Sequence, residues 1–263
     1  MPVLRETLTL AEFAERAIPG KFPERGYSHT EPVDSWNPCS FAQAVEFLQK
    51  GYKTDTVEFA EDIADLARRL SVEYDLAPHY DPAETGLFFD VGRVLEGAPE
   101  CWYDQPLDVR PELNLLIHAS FYSGVTKEQV YNRGVVICTL INLLSRKFNL
   151  QVKICYGTQS HWGNYYLAEI EIPNNPLDLD LMNFLLTHAG SYRRLGFSYW
   201  ESRLNDAQIV EEIRTRPIPG QQIPENTLYF PPVDRGEYVD KEDAEERLRE
   251  ILSAWTPSEK VSI

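Results

Sequence analysis

Cysteine is scarce in this chain of 263 residues, and long apolar runs are absent. The four cysteines, Cys39, Cys101, Cys138 and Cys155, lie far apart and show no CxxC pair or metal-ligand spacing. No apolar run reaches the roughly 18 residues that a membrane-spanning helix needs. Residues 1–16 contain acids and lack the apolar core of a secretory signal. We therefore expect reduced, buried thiols, no membrane partner and a place in the cytoplasm.

Basic residues are also under-represented. Lysine and arginine number 25 against 41 aspartates and glutamates, which gives a formal net charge of −16. A negative field of this size opposes the approach of phosphate and disfavours non-specific coating of duplex DNA. It still permits a local basic groove, because a charge acts over roughly one Debye length, about 10 Å.

Catalytic and cofactor-binding motifs are missing as well. The five histidines form no HExxH pair, and the chain has no GxSxG, GxGxxG or GxxxxGK[ST] sequence. The last two absences argue against the glycine-rich loops that hold nucleotide phosphates. The sequence therefore predicts a protein that is not an enzyme and that carries neither a cofactor nor a metal.

Acids almost disappear from residues 113–168, where Glu128 stands alone against five basic residues. The basic residues are Lys127, Arg133, Arg146, Lys147 and Lys153. Eight aromatic residues share the stretch, among them Trp162 and Tyr165. Cations that follow phosphates and rings that stack on unpaired nucleobases are what single-stranded nucleic acid requires of a protein. A buried core segment excludes acids too, so the composition leaves both interpretations open.

A second cluster of aromatic and basic residues occupies residues 192–203. Arg193 and Arg194 are neighbours on a predicted helix, so they cannot both face inward, and at least one should face solvent. Internal ion pairs with the many acids of the chain are the alternative. The residues predicted to bind nucleic acid are Lys127, Arg133, Arg146, Lys147, Lys153, Trp162, Tyr165, Arg193 and Arg194.

Hydrophobic spacing predicts an α/β fold built around residues 113–156. A strand over 113–122 leads into a helix that Thr126 and Gln129 begin with a capping box and that ends near Lys147. A strand over 151–156 completes a βαβ unit with parallel strands. Further strands are predicted over 87–90, 165–172 and 226–231, and further helices over 8–17, 40–51, 56–70, 91–96, 177–188, 191–203 and 240–254.

We expect one domain with three parts. Residues 1–112 form a mostly helical N-terminal part, 113–233 an α/β core with a mixed sheet, and 234–263 an acidic C-terminal helix. Residues 234–250 hold eight acids and four bases. This helix is expected to restrain DNA binding or to engage a protein partner, and not to be needed for the fold of the core. The competing expectation is that its apolar seam packs on the core, through Leu248, Ile251, Leu252 and Trp255.

The beginning of the βαβ unit resembles a von Willebrand A-type domain. Such domains begin with a DxSxS metal-binding loop, whereas residues 118–122 read HASFY, without the aspartate and the second serine. The resemblance implies a vWA-like or Rossmann-like core without the metal site. The helix start after residues 123–125, together with Lys127, would favour binding of an anion. A helix cap that binds no ligand is the alternative explanation of the same residues. A vWA-like protein-interaction adaptor that binds no nucleic acid is the alternative function.

Three segments resemble a family of phage and bacterial proteins of unknown function. They are residues 90–100, residues 130–134 with the long helix, and residues 177–178 together with 193–201. The likeness covers about residues 35–205. Within the family the chain is most similar to the single-stranded DNA-binding cofactors of RNA polymerases that podovirus-type phages carry. This resemblance implies a preference for single-stranded over duplex DNA, a phage RNA polymerase as partner, and a role in transcription of middle genes without catalysis.

Overall fold

The computed structural model describes residues 3–18, 27–30, 32–34, 38–74, 88–89, 102–103, 111–122, 124–145, 147–159, 165–173, 177–203, 218 and 223–255. The strands within these ranges are β1 (Val3–Thr9), β2 (Phe88–Phe89), β3 (Trp102–Tyr103), β4 (Glu112–His118), β5 (Asn149–Gln159), β6 (Tyr165–Ile172) and β7 (Thr227–Phe230). Five of them form one sheet in the order β1-β6-β5-β4-β7, and β2 pairs with β3. Strands β4, β5 and β7 are parallel, whereas β6 runs antiparallel to β5 and parallel to β1. The predicted α/β class with a mixed sheet is confirmed.

Several of the helices begin at well-formed caps. The helices within the described residues are α1 (Leu10–Ala17), α2 (Tyr27–Thr30), α3 (Phe41–Lys50), α4 (Thr56–Glu73), α5 (Lys127–Leu144), α6 (Leu179–Thr187), a π-helical turn (Ser191–Gly196), α7 (Phe197–Arg203) and α8 (Lys241–Trp255). Capping boxes start α1, α3 and α5, since in each one the cap hydroxyl and the third helical side chain exchange hydrogen bonds with the backbone. The helical turn predicted over 91–96 lies outside the described residues.

The βαβ unit forms as predicted. Strands β4 and β5 pair in parallel from Glu112↔Asn149 to His118↔Cys155, and α5 connects them. Helix α5 is buried on nearly every side because α4, α6 and α8 pack around it. This burial explains why most of the helix is free of charge, and it leaves only its two ends in contact with solvent.

Strand β1 is not part of the sequence-based prediction, which placed a helix from residue 8. The helix instead begins after Thr9, and residues 3–9 form an edge strand beside β6. Polar contacts hold this edge in place. Arg5 pairs with the buried Glu169, and Glu6 accepts hydrogen bonds from Tyr199 and Arg16.

The C-terminal helix is part of the core. Leu248 and Leu252 are fully buried, Ala244 is nearly so, and α8 packs against α5. Ion pairs Arg249–Glu73 and Lys241–Asp62 also join it to α4. The expectation that α8 is not needed for the fold of the core is therefore corrected. Its acids lie on the outer face, while its leucines close the apolar layer on that side.

Candidate functional site

The start of α5 lies at the carboxyl end of β4, where ligands gather in open α/β sheets. Gly124 has a φ of 88°, a conformation that residues with a side chain rarely adopt, and it turns the chain into the helix. The Thr126 hydroxyl then accepts a hydrogen bond from Gln129 N, while Gln129 Oε1 accepts one from Thr126 N. The N–H groups of Lys127 and Glu128 have no intrahelical acceptor, as in the first turn of every helix. This end of α5 can therefore attract an anion.

A cleft opens beside this helix start, and we call it the α5 cleft. Its inner cavity has a volume of about 170 Å³. The walls come from the chain after β4, the start of α5, the end of α6 and two earlier segments: Pro38, Tyr52, Phe121, Val125, Thr126, Lys127, Val130, Thr187, His188 and Ala189. The lining is mostly apolar, with a single formal charge on Lys127.

The α5 cleft continues outward into a wider mouth of about 340 Å³. Tyr52, Lys127 and His188 border both parts. Three carboxylates enter the lining only at the mouth, together with Tyr131 and Asn183: Asp55, Glu58 and Glu128. The inner cavity therefore has one positive charge, on Lys127, whereas the mouth adds three negative charges, of which Glu128 lies in the same first turn of α5 as Lys127.

His188 occupies the inner wall of the α5 cleft and is only 8% exposed. Its Nδ1 accepts a hydrogen bond from Gly190 N at 3.0 Å, so the proton of the neutral ring resides on Nε2. Rings of Phe47 and Tyr52 meet the imidazole edge-on, with centroids 5.4 and 4.8 Å away. Burial and the positive charge of Lys127 lower the pKa of His188 to about 4. The ring is therefore neutral at pH 7 and offers an N–H donor to the cleft.

Three of the residues predicted to bind nucleic acid are buried, so the prediction is corrected and they are removed from the candidate site. Arg133 is 3% exposed and donates to the carbonyl oxygens of Phe230 and Pro231. Arg194 is 1% exposed and donates to Cys39 O at 2.9 Å. Tyr165 is also 1% exposed. None of the three reaches a surface on which DNA could lie. The two buried guanidiniums instead donate to backbone carbonyl oxygens, which need donors in the interior.

The other predicted residues do not form one patch. Lys127 and Lys147 are exposed but lie at opposite ends of α5, which at 1.5 Å per residue is about 27 Å long. Lys153 pairs with Glu169 and Glu171 across the sheet, at 3.8 and 3.6 Å. Arg193 is partly buried, and its guanidinium lies 4.7 Å from the Phe197 ring centroid. Arg146 and Trp162 lie outside the described residues.

A second cavity, of about 130 Å³, lies between α4, α5 and α8. Its charged groups pair with one another, since Lys241 contacts Asp62 at 2.8 Å and Arg69 contacts Glu245 at 2.8 Å. These pairs attach α8 to α4. The α5 cleft is therefore the better candidate for a ligand.

A family model matches residues 9–255, and it is described as a domain of unknown function, DUF7192. The chain belongs to the DUF7192 family. No curated protein and no solved structure matches it. Within the part of the DUF7192 chain that the structure describes, no helix is both long and apolar enough to cross a membrane.

Residues 118–122, whose sequence resembles a vWA-type metal loop without its aspartate, are held by buried hydrogen bonds in this DUF7192 protein. His118 takes the place of the aspartate, and its Nδ1 lies 2.7 Å from Ser120 Oγ. Its Nε2 lies 3.3 Å from the Tyr165 hydroxyl. Gly157 permits this arrangement because a Cβ there would lie 2.4 Å from His118 Nε2. Among the described residues, no three His, Cys, Asp or Glu side chains are grouped as metal ligands.

Three residues near the α5 cleft were missed by sequence reasoning: Tyr52, His188 and Arg235. Arg235 lies against Gly124, with its Nε 2.7 Å from the position that a Cβ would take. Gln129 Nε2 holds this loop by donating to the Arg235 and Glu237 carbonyl oxygens, at 2.8 and 2.7 Å. Only tertiary packing brings these segments together. In the sequence, the one local sign that another segment comes close here is Gly124, which precedes the helix cap.

Proposed function

We propose that this protein binds single-stranded DNA in the α5 cleft, without catalysis, as a transcription cofactor of a phage RNA polymerase in the host cytoplasm. One observation carries the proposal: exposed Lys127 stands at the helix start beside a cleft walled by aromatic rings. The ammonium and the helix start suit a phosphate. The rings of Tyr52 and Phe121 suit an unpaired nucleobase.

The preference for single strands follows from the shape of the site. A base enters a concave cleft only when it is not paired and stacked inside a duplex. Exposed Lys127 and Lys147 stand at opposite ends of α5, too far apart to follow neighbouring phosphates of a duplex backbone together. A net charge of −16 further opposes duplex binding.

The transcriptional part of the proposal rests on sequence resemblance. Residues 90–100, 130–134 with the long helix, and 177–178 together with 193–201 resemble a phage and bacterial family of unknown function. Within that family the chain is most similar to the phage polymerase cofactors. Membership in the DUF7192 family is consistent with this role and does not specify it. The polymerase is thus proposed as a partner, with no surface assigned to it.

A protein-interaction adaptor is the second candidate function. The observation that favours it is the acidic rim at the mouth of the cleft, where Asp55, Glu58 and Glu128 outnumber a single lysine. Such a rim would suit a basic peptide of a partner protein. In that case DNA would bind no better to the wild type than to a cleft variant.

The test compares two charge reversals on one helix. Lys127→Glu at the cleft should weaken binding of a fluorescein-labelled single strand by about tenfold or more, since it removes a charge-assisted contact and adds repulsion. Lys147→Glu is the matched control, because it makes the same change of net charge on an exposed residue at the other end of α5. Fluorescence anisotropy measures both affinities. Equal losses in the two variants would show a diffuse charge effect and refute the cleft as the site.

A further inference from the structure

His188 offers an N–H donor to the α5 cleft. Its Nδ1 accepts the Gly190 N–H, so the neutral ring carries its proton on Nε2. The side chain lines both the inner cavity and the mouth of the α5 cleft. A ligand that enters the cleft with a hydrogen-bond acceptor on its edge can therefore use the imidazole N–H of His188.

The inner cavity is large enough for a ring. Its volume of about 170 Å³ is far above the roughly 10–15 Å³ that a single water needs. Phe121, Val125 and Val130 line it with apolar surface, which suits the faces of a flat and weakly polar group. A hydrated phosphate would have to leave its water in such a cavity, at a cost that one lysine at the edge does not offset.

The polar atoms of the cavity complete the description of the ligand. His188 Nε2–H and the Lys127 ammonium are donors, and Tyr52 lines the cavity with them. A matching ligand carries an acceptor on the edge of a planar ring and an anion a short distance away. A nucleotide with an exposed base edge has both features.

We propose that the inner cavity of the α5 cleft receives one unpaired nucleobase, whose edge accepts a hydrogen bond from His188 Nε2 while the adjoining phosphate lies at Lys127. This inference rests on the proposed single-stranded DNA binding and deepens it. His188 is a positioning residue for the base, and Lys127 holds the backbone. The carboxylates of Asp55, Glu58 and Glu128 at the mouth keep a second phosphate away, so the cleft holds a single nucleotide unit.

The test separates the base from the backbone. Three labelled probes of about 12 units are titrated into the wild-type chain: oligothymidylate, a strand of abasic tetrahydrofuran units with the same number of phosphates, and a duplex. Oligothymidylate should bind at least about tenfold more tightly than the abasic strand. Equal affinity for the two single strands would overturn the inference while leaving backbone binding intact. Absence of binding to all three would overturn the proposed function as well.

Variants then assign the hydrogen bond. His188→Asn keeps an acceptor, since the amide Oδ1 takes the place of Nδ1 toward Gly190 N, and it removes the Nε2–H. It should lower the affinity for oligothymidylate about fivefold or more and leave the affinity for the abasic strand unchanged. A change of the same size for both strands would contradict a contact to the base.

A second pair of variants does not depend on His188. Tyr52→Phe keeps the ring that packs against Phe47, whereas Tyr52→Leu removes it. Oligothymidylate affinity should survive the first change and fall in the second, with circular dichroism confirming that both variants are folded. Retained affinity in folded Tyr52→Leu would remove the ring from the binding site and overturn the arrangement.

Discussion

At the scale of single residues, burial decides which charged side chains can act on a ligand. Arg133 and Arg194 come from segments that look suited to DNA, yet both are buried and donate to backbone carbonyls. Lys127 carries the same charge and stays at the surface because it lies in the first turn of α5. His188 is a different case, because its imidazole can carry a charge but is kept neutral at pH 7 by burial in the wall of the cleft. Its environment leads to a prediction about acid stability.

The wild-type chain should lose more stability in acid than His188→Asn. The pKa of His188 is about 4 in the folded protein and near 6.5 in the unfolded chain. The unfolded chain therefore binds the proton first, so this contribution is complete above about pH 6.5 and is lost as the pH falls toward 4. Between pH 7 and pH 5 the wild type should lose about 2 kcal/mol more than the variant, as measured by urea unfolding.

The comparison separates the contribution of His188 to acid stability from that of His29. Burial also lowers the pKa of His29, and that side chain is present in both proteins, so its contribution cancels. Parallel stability curves between pH 7 and pH 5 would show that His188 titrates normally and is not held neutral by the wall of the cleft.

At the scale of elements, the helices follow local rules and the edge strand does not. The capping boxes of α3 and α5 are formed by residues close together in the chain, so the sequence indicates where these helices begin. Strand β1 depends on its pairing with β6, which lies far along the chain, and residues 3–9 alone do not reveal it. The same holds for α8, whose charge pattern suggests a detached helix although its leucines are buried.

Helix α8 should contribute measurably to the stability of the core. Leu248→Ala removes a fully buried side chain between α8 and α5 and should cost about 2–5 kcal/mol of the free energy of unfolding. Glu246→Ala is the control, because Glu246 is exposed on the same helix and its change should stay within about 0.5 kcal/mol. Urea denaturation followed by circular dichroism measures both. Equal stability of the two variants would mean that α8 does not belong to the core.

At the scale of the whole molecule, the sequence is sufficient for the class of fold and insufficient for the site. The βαβ unit, the existence of strand β6 and most helices are predictable, because hydrophobic period and caps are local properties. The α5 cleft unites Tyr52, Lys127 and His188, which no spacing rule connects. Lys127 was predicted from its place at a helix start. The two rings beside it depend on how α6 and the segment before α4 pack against α5.

The measurement that tests the central claim most directly is the affinity for single-stranded against duplex DNA at two salt concentrations. One phosphate contact in a single strand gives a slope of about −0.7 in log affinity against log salt. Raising the salt from roughly 50 to 200 mM should therefore weaken single-strand binding only about threefold. The account predicts this shallow dependence together with a clear preference for the single strand. Equal affinity for duplex, or no binding at about 100 µM protein, would contradict it.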